Sequence, residues 1–232
     1  MDPARKLTRT EKFLGIVPGD VVSFIGGGGK SMLLHSLARR LAKEERRVIC
    51  AATRDFRPGT GDSPYLFLTD ERPFCDLIPN LHEHGTVTVA SERLEDGSCR
   101  GYGPDEIDTF TDLGDYVFVE AEDSAGRSLP EPVSDPRPIP RLTTVILAVA
   151  GLDALGPDLD CDGFARVLAD PGGILHAFPA ARRTVLLLNK ADRHSIRMDG
   201  AKVGKLTKDL LGDDRPPVHV ILTSVRDYMK RV

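Results

Sequence analysis

Apolar runs and amphipathic stretches take turns along this chain, separated by turn residues. Val21–Ile25 is an apolar run that predicts a strand. Lys30–Lys43 follows with Leu33, Leu34, Leu37 and Leu41 at helical spacing. Further strands are predicted at Arg46–Ala52, Thr86–Ser91, Asp115–Glu120, Thr143–Gly151, Arg183–Asn189 and Val218–Thr223. Several of these are almost unbroken apolar runs, the pattern of strands buried on both faces of a parallel sheet. Helices are predicted at Cys161–Ala169 and Gly200–Leu211, with a short one opened by Pro104. Thr53–Gly85, rich in Pro, Gly and Asp, is expected to be mostly loop, and "LEDGSCRG" a turn. The expected architecture is a three-layer, doubly wound α/β fold with a mainly parallel sheet, like that of P-loop NTPases. A single domain over 1–232 fits the length.

Between the first strand and the first long helix stands "GGGGKS", Gly26 to Ser31. In a doubly wound sheet, ligands bind at such strand-to-helix junctions. Glycines let backbone N–H groups turn toward a phosphate, and the helix N-terminus adds partial positive charge. Lys30 is expected to reach the β- and γ-phosphates and Ser31 to bind Mg²⁺; Gly26, Gly27, Gly28, Gly29 and Met32 complete the nucleotide-binding loop. The usual G-x-x-x-x-G-K-[ST] spelling is shortened, since its first glycine would fall at Phe24.

"NKAD" closes a buried strand downstream, and Asn189, Lys190 and Asp192 resemble the N-K-x-D signature of GTP-binding proteins. An Asp carboxylate there accepts from two guanine donors that adenine does not offer. GTP is therefore expected ahead of ATP. After the next strand, Ser224 and Val225 are placed to meet the guanine oxygen; a helix N-cap is the alternative use of Ser224.

A cation needs a carboxylate at another strand end. "VFVEAEDSAG" offers Glu120 and Asp123, the first on the rigid strand, the second in a D-x-x-G spelling. Both are candidate Mg²⁺ ligands and, with Lys30, candidate catalytic residues. Asp55 is a further candidate for orienting water.

Composition narrows the picture. The formal net charge is −4, with 31 Lys and Arg against 35 Asp and Glu, so no basic excess marks a nucleic-acid surface. No apolar run approaches the roughly 20 residues of a membrane span, and "MDPARKLTRTEKFLGI" lacks a signal-peptide core. A soluble cytoplasmic protein is expected. The four cysteines are scattered and form no C-x-x-C pair, and "HEH" at His82–His84 is expected to be a solvated turn. "RSLPEPVSDPRPIPR", with five prolines, is expected to cross the active edge as an ordered loop.

With these pieces in order, the chain resembles the YqeC family of selenium-dependent hydroxylase accessory proteins. Ile25–Ser31 matches its V-G-x-G-G-K-[ST] loop, "EAEDSAGRSLPEP" its E-A-D-G-S and P-L-K pieces, "AVAGLDALG" its V-x-G-L-D-A-L-G segment, and "NKAD" its closing loop. Departures are Glu122-Asp123 in place of D-G, Pro130 in place of lysine, and a T-T-T run reduced to Thr53. The resemblance implies a nucleotide-driven factor acting on a client molybdenum hydroxylase or its cofactor-maturation machinery, and by analogy with metal-insertion GTPases a homodimer. Residue chemistry alone leaves open a nucleotide-binding regulatory or chaperone module without turnover, and an ATP-dependent ligase or kinase with a short P-loop.

Overall fold

A computed structural model describes residues 6–58, 63–68, 75–121, 139–152, 160, 162–163, 165–166, 183–190, 199–211 and 218–222. Its strands are β1 (Val21–Gly26), β2 (Val48–Ala52), β3 (Tyr65–Phe67), β4 (Thr86–Ala90), β5 (Glu92–Arg93), β6 (Cys99–Arg100), β7 (Tyr116–Glu120), β8 (Val145–Gly151), β9 (Arg183–Asn189) and β10 (Val218–Leu222). Its helices are α1 (Arg9–Leu14), α2 (Lys30–Lys43), α3 (Leu77–His84), α4 (Pro104–Ile107) and α5 (Gly200–Leu211). Residues 162–163 and 165–166, inside the predicted 161–169 helix, are helical.

Eight strands form one sheet in the order β10-β9-β8-β1-β7-β2-β4-β3. Every pairing within it is parallel. Side chains on each strand alternate between the two faces, so each central strand feeds two cores. Val22, Phe24, Phe118, Leu147 and Leu187 pack with Leu33, Leu34, Leu37 and Leu41 of α2 and with Leu14 ahead of β1. Val21, Ile25, Val117, Val119, Ala148 and Leu188 face the other way, toward Leu77 and Leu81 of α3, Ile107 of α4 and Val203 of α5. Helices thus cover both faces, the three-layer arrangement expected from the apolar runs.

Two expectations are refined. Thr53–Gly85 is not all loop: it contains β3 and α3. Helix α3 tolerates Pro79 because that residue lies in its first turn, where the missing N–H would have no intrahelical acceptor. Leu77 and Leu81, one turn apart, bury its inner face, and Gly85 ends it in the left-handed region at φ 70°. "HEH" therefore forms the last turn of a helix and not a free turn, while its three side chains are exposed as expected, with His82 Nε2 3.5 Å from an Arg47 guanidinium nitrogen.

The polar N-terminal text also holds an element. Thr8 accepts from the Glu11 N–H, and the Glu11 carboxylate accepts from the Thr8 N–H, a reciprocal cap that starts α1. Glu11 then reaches into the protein. Its carboxylate pairs with Arg46 (Nε to Oε1 2.5 Å, Nη2 to Oε2 3.0 Å) and accepts from the Tyr116 hydroxyl at 2.6 Å. All three residues are buried.

At the sheet edge where β1 and β8 begin, Asp20 accepts from Val17 N–H, Thr144 Oγ1 and Arg183 Nη2 at 2.7, 2.8 and 2.6 Å. Burial pushes the Cys50 thiol up to about 12, which leaves it inert, as expected of a structural cysteine.

Candidate phosphate and cation site

Strand alternation decides which side chains meet at the opposite edge. Tyr116 and Phe118 face α2, so Glu120 two residues on faces it too; Val185 and Leu187 place Asn189 on that same face. Register brings both to one place. Phe24 pairs with Glu120, Gly26 with Val149, and Gly151 with Asn189. The glycine loop leaving β1 is thus flanked by the end of β7 on one side and the ends of β8 and β9 on the other.

The loop is held by backbone contacts. The Gly27 N–H donates to Val149 C=O at 2.9 Å. Gly28 sits at φ 78°, and a Cβ there would lie 2.5 Å from the Gly151 nitrogen. No side chain fits between the loop and β8. Gly29 is the N-cap of α2 at φ 112° and supplies no side-chain cap. The N–H groups of Lys30, Ser31 and Met32 have no intrahelical acceptor, since the first helical bond is Leu33 N–H to Gly29 C=O. An anion would complete that end. The Met32 side chain points outward, 59% exposed, so its part in such a site is its backbone.

Lys30 and Ser31 converge on one oxygen. Ser31 Oγ donates to Glu120 Oε1 at 2.7 Å, and Lys30 Nζ lies 3.3 Å from the same oxygen. The Lys30 side chain is 2% exposed and that of Glu120 20%. The ammonium is close enough for an ion pair yet misaligned for a hydrogen bond, so it stands buried without one. Thr53 fixes the strand end from outside: its N–H donates to the Glu120 carbonyl at 3.0 Å, continuing the β2–β7 ladder.

Asn189 joins the loop to the next strand. Its Nδ2 donates to Gly28 C=O at 2.7 Å, and its Oδ1 accepts from the Lys190 N–H at 2.8 Å. Lys190 adopts φ 63°, an uncommon value for a residue with a side chain. Asn189 thus braces the glycine loop against the end of β9, and Gly26, Gly27, Gly28, Gly29, Lys30, Ser31, Glu120 and Asn189 come together. Asp123, Asp192, Ser224 and Val225 lie outside the described residues, as does most of the Pro-rich segment. Asp55 stands exposed two residues past Thr53.

His35 was missed by the sequence reading. It follows Ser31 by one helical turn, on the same side of α2. Burial pulls its pKa below the ordinary value, the Glu120 charge pushes it up, and Arg39 pulls it down. The i, i+4 spacing from Ser31 was visible, but only the position of Glu120 gives it meaning.

Comparison with known proteins extends this picture. The uncharacterized protein YqeC of Escherichia coli strain K12 is 28% identical over 150 residues, covering 63% of this chain and 57% of that one. A chloroplastic homologue of the cell division protein FtsY from Arabidopsis thaliana is 26% identical over 211 residues, 89% of this chain and 56% of that one. The chain therefore spans little more than half the length of either relative. Among solved structures, HypB from Helicobacter pylori in complex with nickel aligns with a TM-score of 0.43 and 15% identity, over 94% of this chain and 84% of that one. FlhF complexed with GMPPNP and Mg²⁺ aligns at 0.47 and 13%, over 94% and 70%. A family model described as YqeC protein matches residues 22–167. That stretch runs from β1 through the glycine loop, Glu120 and Gly151 and stops short of Asn189. It covers more than half of the chain, which thus belongs to the YqeC protein family.

Proposed function

We propose that this protein binds GTP with Mg²⁺ and hydrolyses it, as a cytoplasmic accessory factor in the maturation of selenium-dependent molybdenum hydroxylases. One observation carries the nucleotide reading. A glycine loop with no room for a Cβ delivers a buried lysine and a serine hydroxyl to a single strand-end carboxylate, beside an uncapped helix start.

The residues fit both ligands. Lys30 holds a buried positive charge without an aligned hydrogen bond, which a phosphate oxygen would supply. Ser31 and Glu120 offer a hydroxyl and a carboxylate oxygen, the hard donors Mg²⁺ takes. When bound, the cation would draw off charge from the phosphates. Asp123 remains the rival carboxylate. The backbone N–H groups at the start of α2 would orient the phosphates, and Asn189 would keep the loop from shifting under them. Preference for guanine rests on Asp192 in the "NKAD" spelling, with Ser224 and Val225 on the other side of the base. The accessory role rests on family membership and the resemblance that goes with it.

Competition calorimetry of GTP against ATP in Mg²⁺ tests the reading. A carboxylate facing two base donors should favour GTP by roughly tenfold to a hundredfold. Lys30→Ala should abolish binding while circular dichroism shows an intact fold. Equal affinity for the two nucleotides would remove the guanine assignment. Normal affinity in folded Lys30→Ala would remove the phosphate site.

A further inference from the structure

The carboxylate offered to a cation is also the counter-charge of the lysine offered to phosphate. Glu120 Oε1 is 3.3 Å from Lys30 Nζ and 2.7 Å from Ser31 Oγ. Lys30 is 2% exposed and has no aligned hydrogen bond to any described residue, so Glu120 neutralises it. From this geometry we infer that Glu120 makes the site select the metal complex of the nucleotide and reject the metal-free form. The inference rests on the phosphate-site reading above.

The reasoning is one of charge balance. An incoming phosphate takes over Lys30 and thereby strands Glu120, which is largely buried beside the new anion. Two negative groups at close range in a partly dry site repel strongly. A divalent cation held by Ser31 and Glu120 cancels that repulsion and gives the carboxylate a new partner. Without the cation, Glu120 competes with phosphate for the lysine. Metal and nucleotide are therefore coupled, each raising the affinity for the other by the same factor. Ser31 shares in the coupling, because its hydroxyl can donate to Glu120 while an oxygen lone pair turns toward the metal.

The test is GTP binding in excess EDTA and in excess Mg²⁺, by calorimetry, on wild type, Glu120→Gln and Glu120→Asp. Glu120→Gln keeps an oxygen that can accept from Ser31 and removes the charge. Its affinity in EDTA should rise about tenfold or more above wild type, the worth of a charge-assisted contact. Its gain on adding Mg²⁺ should shrink. Glu120→Asp retains the charge and should keep the weak EDTA affinity of wild type. Thermal melts confirm that both variants fold. An unchanged or lower EDTA affinity in Glu120→Gln overturns the inference while leaving the phosphate site standing, provided wild type binds with Mg²⁺. A rise of the same size in Glu120→Asp also overturns it. Failure of wild type to bind GTP under either condition overturns the phosphate-site reading and this inference together.

Discussion

A single amide, that of Asn189, ties the phosphate loop to the strand that leads into "NKAD". It spends its donor on Gly28 C=O and its acceptor on Lys190 N–H. Both partners lie where the backbone is already constrained, Gly28 against Gly151 and Lys190 in the left-handed region. Asn189→Ala would leave the buried Gly28 carbonyl and the Lys190 N–H without these bonds, at about 1–3 kcal/mol for each group left unsatisfied. Denaturant unfolding should show that loss, and GTP affinity should fall with it. Unchanged GTP affinity in this variant would mean that the loop holds its shape without the brace. Much of this site was legible, because Gly-Lys-Ser and Asn-Lys-x-Asp each carry their chemistry in their spelling. Glu120 was legible as a strand-end carboxylate, but its contact with Lys30 depends on β7 lying beside β1, which no local pattern states.

Among elements, α1 shows how a short helix is held by more than its own turn. Burial would raise the Glu11 pKa, but hydrogen bonds from Arg46, Tyr116 and the Thr8 N–H outweigh it and hold the carboxyl at about 2 against an ordinary 4.5. A group whose folded pKa is depressed adds stability above its unfolded pKa. That stability is lost as pH falls from near 4.5 toward about 2. Unfolding measured across that window should show stability dropping with acid, and Glu11→Gln should flatten the drop. Glu11→Gln should also cost about 3–5 kcal/mol at neutral pH, because it leaves Arg46 buried without its counter-charge. A variant with wild-type stability and slope would show that Arg46 finds another partner. The long elements were legible from pattern: α2, α5 and the buried strands carry sustained periodicity or unbroken apolar runs. Helix α1 was not, since "RTEKFL" buries Thr10 and Glu11 with Leu14 and leaves Phe13 exposed. Strand β3 has three residues and α3 has a proline near its start, so tertiary contact decides both.

For the whole molecule, the proposed role predicts a selective defect. A strain lacking this protein should lose selenium-dependent molybdenum hydroxylase activity under selenium-replete growth. Its selenocysteine-containing proteins should keep theirs. Unchanged hydroxylase activity in the deletion strain would count against the accessory role while leaving nucleotide binding to be judged by calorimetry. The sheet order has a consequence for how the protein is made. The flanks of β1 are β7 and β8, which follow it in the chain, and the amide that latches Gly28 follows it by 161 residues. At translation speeds of about 5–20 residues per second, that gap lasts roughly ten to thirty seconds. Until β7 is made, roughly the first half of that gap, the nascent chain carries an apolar central strand with neither permanent neighbour, an opening for chaperones and for misassociation. A nucleotide could not serve as a folding template in that interval, because its cradle is completed only once Asn189 has been made.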